Sequence, residues 1–537
     1  MDYVALIAFI FLPMGLSVLL FLFYKKERAE KSGLTKTFFI IQFFLMGLLL
    51  YLTYIKVIQS DSLNFTVSYW PPSIGIALKI DVINLVFLWM THVGFWYILL
   101  YSWPTKHNDI HYWLLLMFLQ SSLNGLFVIN DVFSMFLLIE LTTIICAILI
   151  LYKKDGPALR AGLYYLLFNT VAITFFLLGI IMLYLQCGSL NLDVLSAQLG
   201  QVHPSPYLKI SYSFIIAALS LKCGFVPVFS WLPIAHASAP TPISALLSGL
   251  IVKIGIFAFI KFNFILTSMH AQQFMLVMAL LTAIIGVLLA LFQSNIKRIL
   301  AYHTVSQIGL IAIMLASPSP EAYYGGVFHL VNHFLFKSLL FLVVGFLLEV
   351  IKDYNVKHYR ALFRLSPLMA TALLLSLLSI TGAPLTAGSI SKSLLMKASY
   401  PFPITGLLYL INLGTFLSFF KYFRTFFGQT QKRLVVSPST RLAVEGLSLL
   451  LILFYPLEIL YLKYFTTVDY AFSLFYLGKE FLVYGVYFVI ALLFYHYVPF
   501  ENSKIQHNIA RWNLNFPHAN FVFMIYLCCI FSIFLFF

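Results

Sequence analysis

The chain has 537 residues, of which 62% are apolar and only 9% are charged, and this composition excludes a soluble globular domain. Apolar runs of about 20 residues recur along the whole length, and a helix needs about that length to cross a bilayer. The formal net charge of +15 does not indicate a nucleic-acid partner, because the basic residues cluster between the apolar runs. The chain is therefore predicted to be an all-α polytopic membrane protein.

About 14–16 transmembrane helices are predicted from the lengths of these runs. The candidate spans cover residues 3–24, 36–57, 79–102, 111–129, 131–152, 158–186, 207–232, 240–267, 271–293, 297–316, 323–350, 366–398, 403–426, 440–463, 480–498 and 518–537. The first span has neither a basic leading segment nor a small-residue cleavage site, so no cleavable signal peptide is predicted.

The loops predict an orientation in the membrane. If the N-terminus lies outside, every second loop lies inside, and these loops hold basic clusters such as KKERAEK at 25–31, KR at 297–298 and KDYNVKHYR at 352–360. Cytoplasmic loops of membrane proteins carry such an excess of lysine and arginine. We therefore expect a multi-pass protein of the cell inner (plasma) membrane with its N-terminus outside.

Two spans are predicted to be broken helices. In the seventh, SLKCGFVPVFSWLP places a glycine and two prolines directly after Lys222. In the twelfth, SITGAPLTAGSISK places a break at Gly382, Pro384 and Gly388, shortly before Lys392. Because proline and glycine interrupt helices, and broken helices in two halves of a transporter mark inverted repeats, two inverted five-helix repeats are predicted.

The repeats divide the chain into four predicted parts. Three N-terminal helices occupy residues 1–110, the two repeats occupy 111–267 and 271–426, and C-terminal helices occupy 427–537. Interrupted helices of this kind place ion sites at the interface between the repeats.

Ionisable residues at membrane depth are the candidate ion path, because keeping a charge there is costly. Lys222 is expected to pair with Glu140, near the middle of the fifth span. In HLVNHFLFK, two histidines and a lysine at i, i+4 and i+8 share one helix face, and imidazole can relay protons near neutral pH. The predicted path residues are Glu140, Lys222, Lys253, His329, His333, Lys337 and Lys392.

Blander interpretations stay open for each group. The lysines can extend towards the headgroups, and the histidines can simply bond to neighbouring carbonyls. His236, a candidate gate or link to solvent, and His303 are secondary path candidates, with ordinary packing as the alternative. Glu349, Glu445 and Glu458 lie nearer span ends and are interpreted as interface contacts. The histidine spacing also suits zinc, but no third ligand is near, so no metal site is predicted.

No cofactor is predicted from the sequence. The five cysteines have no CxxC spacing, and no glycine-rich phosphate loop is present. Any redox or nucleotide chemistry is therefore assigned to other subunits, and whether the chain is part of an enzyme is left open.

FVPVFSWLPIAHASAPTPISALLSGLIVKIG, NIKRILAYHTVSQIGL and HLVNHFLFKSLLFLVVG resemble the antiporter-like subunits of respiratory complex I. They are equally similar to the D subunits of Mrp-type sodium/proton antiporters and to subunits of membrane-bound hydrogenases. The resemblance covers roughly residues 75–425 and matches all seven predicted path residues to family positions. Two departures are Ile234, where many members have aspartate, and Asn169, in a span where some members use a carboxylate.

The resemblance implies proton translocation, with sodium as a second ion, within a larger complex of the NADH-quinone oxidoreductase or Mrp type. Lipids, other membrane subunits and a peripheral redox or carbon-uptake subunit are the implied partners, because some relatives serve inorganic-carbon uptake. The alternative is a membrane scaffold that anchors such a partner and conducts little itself. The sequence does not distinguish protons from sodium, and it leaves the energy source and the direction of transport open.

Overall fold

A computed structural model describes residues 2–23, 34–72, 75–103, 109–199, 204–268, 271–398, 400, 402–430, 433–466, 468, 474–497 and 515–536. The basic cluster at 25–31 lies outside the described residues. Sixteen helices, two of them interrupted, follow the sixteen candidate spans. They are α1 (Asp2–Phe23), α2 (Leu34–Ser60), α3 (Val82–Ser102), α4 (Ile110–Val128), α5 (Val132–Leu151), α6 (Gly156–Cys187), α7a (Pro206–Cys223) and α7b (Trp231–Ser238), α8 (Thr241–Lys261), α9 (Gln272–Phe292), α10 (Ile296–Ala316), α11 (Pro320–Ile351), α12a (Pro367–Thr381) and α12b (Ala387–Lys397), α13 (Phe402–Phe420), α14 (Pro438–Phe465), α15 (Leu474–Tyr497) and α16 (Phe516–Phe536).

The all-α membrane fold is confirmed. Within the described part of the chain, thirteen of the helices are long and apolar enough to cross a membrane by length and composition. The other three segments are α4 and the two helices that are interrupted, α7 and α12. Short helices at Leu192–Leu199, Asn263–Ser268, Leu362–Leu365 and Phe423–Phe426 lie in or beside the loops.

A β-hairpin between α2 and α3 is the one departure from the predicted fold class within the described residues. Strand β1 (Leu63–Thr66) pairs antiparallel with β2 (Ala77–Ile80), with Leu63 opposite Ile80. Four-residue strands are too short to show a clear alternating pattern, so the sequence did not predict them. The hairpin leads into α3, whose first turn is capped by the side chain of Asp81.

The central helices are α8, α10 and α11. In α8, 94% of the apolar span is buried, and in α10 89%, whereas in α15 only 6% is buried. Helix α11 packs against α8, α10 and both halves of α12. The predicted ion-path residues of α8, α11 and α12 therefore lie on α11 or on helices that pack against it.

The C-terminal helix α16 packs against α6 and α7a. Its Phe523 packs edge-on against Phe168 of α6, and Phe531 packs edge-on against Phe214 of α7a. The hydroxyl of Tyr526 also donates to Ser220 Oγ at 3.0 Å, two residues before Lys222. Helix α16 therefore covers the outer side of α7a next to its break.

Candidate functional site

The break in α7 is a helix end whose free backbone groups are satisfied by protein. Gly224 has a φ of +71° and donates its amide to Leu221, while Phe225 donates to Ser220. This pair of bonds is the Schellman arrangement that closes a helix at a left-handed glycine. The indole of Trp231, at the start of α7b, donates to the Leu221 carbonyl at 2.8 Å. The broken helix can therefore persist at membrane depth.

The break in α12 repeats the same hydrogen bonds. Gly382 has a φ of +77° and donates to Ser379, while Ala383 donates to Leu378. Gly388, predicted to be part of the break, instead lies in the first turn of α12b. A Cβ atom there would be 1.8 Å from the carbonyl oxygen of Ser379, so its role is to allow the two halves to approach closely.

Lys222 lies in the last turn of α7a and is buried. Its ammonium donates to the hydroxyl of Thr143 on α5. Among the described residues it makes no direct ion pair with Glu140, whose Oε1 accepts a hydrogen bond from Thr170 of α6 at 3.3 Å. The expected direct pair is therefore not formed, because Thr143, one helical turn beyond Glu140, occupies the contact position. The two charges remain near enough to interact.

A π-turn at Leu247–Ile251 precedes Lys253 in α8. The amide of Val252 donates five residues back to Leu247, so the carbonyl of Ser248 is released from its usual α-helical donor. The Lys253 ammonium donates to that carbonyl at 3.3 Å and to Gly249 at 2.5 Å.

Lys253 also reaches α11, with its Nζ 3.0 Å from Nδ1 of His333. Gly249 permits this contact, because a Cβ there would be 2.7 Å from Ser338 Oγ of α11. Both Lys253 and His333 have no solvent-exposed surface. A buried ammonium thus lies against an imidazole that can accept a proton.

The three predicted path residues of α11, His329, His333 and Lys337, are all buried, but they contact different helices. His329 lies 3.0 Å from Gln307 Oε1 of α10 and 2.9 Å from Ser391 Oγ of α12b. Lys337 donates to the Leu300 carbonyl of α10 at 2.7 Å. Within the described structure no hydrogen bond joins these three side chains to one another.

Lys392 lies beyond the α12 break but folds back across it. Its ammonium donates to the carbonyl of Ile380, in the last turn of α12a, at 2.8 Å. The C-terminal end of a helix carries partial negative charge, which stabilises an ammonium there. Ser391, its neighbour in sequence, holds His329, so α12b connects Lys392 to the α11 histidines.

The two secondary path candidates, His236 and His303, have different surroundings. His236 has no exposed surface and stacks on Phe341 with ring centroids 4.9 Å apart, and its role as a gate or link to solvent stays a prediction. Neither ring nitrogen has a hydrogen-bond partner among the described residues. His303 Nε2 lies 2.8 Å from Ser418 Oγ of α13, and the ring stacks on Phe419. Both residues are buried beside the predicted path residues and do not reach the protein surface.

Two charged residues were predicted to lie in a loop or at an interface, but the structure buries both. Lys297, predicted to lie in an inside loop, is 5% exposed and donates to the carbonyl of Ala239 at the end of α7b at 2.9 Å. Glu458, interpreted as an interface residue, is 3% exposed and accepts from Asn332 of α11 at 2.7 Å. Glu445 is exposed and pairs with Arg441. In the sequence, only Pro456, two residues before Glu458 and inside α14, indicated that this part of the span was unusual.

Together these side chains form what we call the central polar row: Glu140, Thr143, Lys222, Lys253, His333, His329, Lys337 and Lys392. Among these side chains, Lys222 bonds to Thr143 and Lys253 contacts His333, while His329 bonds to Ser391, the neighbour of Lys392. Among the described residues no hydrogen bond joins Lys222 to Lys253, where Cys223 packs against Gly255 of α8. The row can hold protons and pass them within each bonded pair, and a proton must cross this gap, and the intervals between His333, His329 and Lys392, to travel its full length.

The comparisons with known proteins agree with this architecture. The sequence profile of the family described as "NADH:quinone oxidoreductase/Mrp antiporter, TM" matches residues 129–420. The D subunit of the Na(+)/H(+) antiporter of Alkalihalophilus pseudofirmus is 28% identical over 402 residues, which cover 73% of this chain and 81% of that protein.

Two solved structures share the fold. A chain of the Mrp complex from Dietzia sp. DQ12-45-1b has a TM-score of 0.76 at 20% identity and covers 91% of this chain and 99% of its own. A chain of respiratory complex I from Thermus thermophilus has a TM-score of 0.72 at 22% identity, with 85% and 99% covered.

Proposed function

The chain belongs to the NADH:quinone oxidoreductase/Mrp antiporter transmembrane family, and on that premise we propose that it is an ion-translocating subunit that carries protons along the central polar row. The relative from Alkalihalophilus pseudofirmus is part of a Na(+)/H(+) antiporter, so sodium is the second candidate ion. The site residues are proposed to be Glu140, Lys222, Lys253, His329, His333, Lys337 and Lys392.

The contact between Lys253 and His333 carries this proposal. An ammonium 3.0 Å from an imidazole nitrogen, with both side chains fully buried, is a donor and an acceptor already in contact. Imidazole gains a proton at one nitrogen and releases one from the other, so His333 can pass a proton on rather than only hold it. Helix α11 therefore serves as the link between the lysine of one repeat and the lysine of the other.

The energetics favour transport over a passive scaffold. A lysine at the centre of a bilayer costs about 2.5–3.5 kcal/mol on an insertion scale. Keeping four ionisable side chains at membrane depth is therefore costly, and such residues mark ion pathways in membrane proteins. Lys222, Lys253, Lys337 and Lys392 are all buried in the protein interior. A scaffold that only anchors a partner gains nothing from that cost.

The surroundings of the subunit are proposed from the loops and from the relatives. The basic loops support an N-terminus outside and a location in the cell inner membrane. Residues 111–267 and 271–426 are proposed to be the two inverted repeats, between residues 1–110 and 427–537. Because the structural neighbours are chains of the Mrp complex and of respiratory complex I, we propose that this chain also works within a multi-subunit membrane complex.

Replacing His333 tests the proposal. Membrane vesicles containing the whole complex would be energised, and the pH gradient would be followed with a pH-sensitive dye. The variant His333→Ala should lose most of the gradient while the complex still assembles, because Lys253 loses its acceptor. His518→Ala, which changes an exposed histidine in the same way, should keep the wild-type gradient. An undiminished gradient in assembled His333→Ala would instead favour the scaffold.

A further inference from the structure

A cavity beside Lys392 lies between the α12 break, α13 and α15. Its volume is about 210 Å³, and both Lys392 and Glu480 of α15 line it. A water molecule occupies about 30 Å³ of liquid, so the cavity has room for several water molecules. The end of the central polar row therefore faces an open cavity and not packed side chains.

One carboxylate oxygen of Glu480 has no hydrogen-bond partner among the described residues. This oxygen, Oε1, is buried, and the charge of Glu480 interacts with that of Lys397. A second acceptor in the same cavity, Oδ1 of Asn412 on α13, is also buried without a partner in the described part of the chain. Buried oxygens without partners are costly, and two that line one cavity are suited to hydrogen-bonding water.

The position of Glu480 is fixed relative to the break. One turn further along α15, the hydroxyl of Tyr484 lies 2.9 Å from Thr381 Oγ1, at the end of α12a. Glu480 and Tyr484 are four residues apart and share one helix face. Helix α15 is therefore held with its carboxylate turned towards the cavity that Lys392 lines.

The cavity lies towards one membrane surface. Helix α12b ends at Lys397 and α15 begins at Leu474, and both ends border this region. Glu480 is six residues into α15, about 9 Å along the helix. Lys397 and Lys479 line the cavity near these helix ends. In the proposed orientation this surface is the outside.

We propose that Glu480 receives the proton that leaves Lys392 and releases it to the outside, an inference that rests on the proposed function. The Lys392 ammonium gives one proton through water to the Glu480 carboxylate, leaving a neutral amine and a carboxylic acid. The acid then loses that proton to the outside solution. Glu480 lies beyond the matched residues 129–420, so this exit belongs to the C-terminal helices of this chain.

The test compares neutral replacements in the full chain within its complex. Glu480→Gln should lower the rate of proton translocation about tenfold or more, because an amide cannot take up the proton. Glu480→Asp should restore part of the rate. Glu445→Gln, on an exposed carboxylate of α14, should match the wild type. Wild-type rates in Glu480→Gln together with an inactive Lys392→Ala would overturn this inference alone, whereas full activity of Lys392→Ala would overturn the proposed function.

A labelling experiment covers the case in which Glu480→Gln fails to assemble. Glu480→Cys would be made in a chain whose partly or fully exposed cysteines, Cys187, Cys528 and Cys529, are replaced by serine. A membrane-impermeant thiol reagent added outside should label position 480. Labelling only from the inside, or none from either side of assembled complex, would contradict an outward exit at Glu480.

Discussion

The two helix breaks have the same backbone and different surroundings. Helices α7a and α12a both end at a glycine with positive φ, closed by the same two hydrogen bonds. Each break brings a lysine to the last turn of its first half. Lys222 belongs to that turn itself, whereas Lys392 comes from beyond the break and reaches back to Ile380. One helix-ending motif is thus used twice, with the charge supplied from opposite sides.

The surroundings then give the two lysines different chemistry. Lys222 bonds to the Thr143 hydroxyl, lies near the charge of Glu140 and is covered by α16, whose Tyr526 bonds to Ser220. Lys392 has a backbone carbonyl as its partner and opens on the cavity lined by Glu480. On this basis we propose that the first break retains a proton under the influence of a carboxylate, while the second releases it.

Replacing either lysine with alanine should have the largest effect on proton translocation. Lys222→Ala and Lys392→Ala should each reduce proton translocation to background, because among the described residues no other ammonium occupies either helix end. The pH gradient formed by vesicles that contain the whole complex measures this. Lys463→Ala, on the exposed end of α14, serves as the matched control and should be normal. If either buried lysine is dispensable in assembled complex, the two breaks do not act in series.

A smaller effect is expected from replacing Thr143, whose hydroxyl is the partner of Lys222, whereas Lys392 bonds to a backbone carbonyl. Thr143→Val keeps the shape of the side chain and removes the partner of Lys222. A hydrogen bond to a charged group contributes about 1.5–3 kcal/mol, so proton translocation should slow by about tenfold or more. Thr143→Ser keeps the hydroxyl and should stay close to wild type. Equal rates in the valine and serine variants would show that the hydroxyl is not needed.

Replacing Gly388, where the two halves of α12 approach closely, should have the smallest effect on transport and the clearest effect on thermal stability. Gly388→Ala places a methyl group 1.8 Å from the Ser379 carbonyl and must push the two halves apart. The thermal stability of the purified complex should fall. Gly406→Ala in α13 has no atom within 4 Å of the added methyl group and should leave stability unchanged. Equal melting temperatures would mean that the α12 break is more pliable than its packing indicates.

The breaks were predictable because their causes are local. Glycine and proline beside a lysine in an apolar run specify a helix end at membrane depth whatever surrounds it. The spacing of His329, His333 and Lys337 likewise fixes one helix face.

The contacts of these groups were not predictable, because they depend on how helices cross. The meeting of Lys253 with His333 depends on the π-turn and on Gly249 packing against Ser338. Thr143, three residues after Glu140 on α5, forms the hydrogen bond to Lys222 that was expected of Glu140. Lys297 is next to a loop in sequence, but the end of α7b buries it.

The central claim is that the polar row is continuous from Lys222 to Lys392, and the interval between Lys222 and Lys253 tests it most directly. A density map of the complex in lipid, at a resolution that shows ordered water, would reveal what fills that interval. The account predicts a hydrogen-bonded chain of water molecules joining the two ammonium groups past Cys223 and Gly255. Tightly packed apolar side chains there, with no water in any state of the transport cycle, would contradict it.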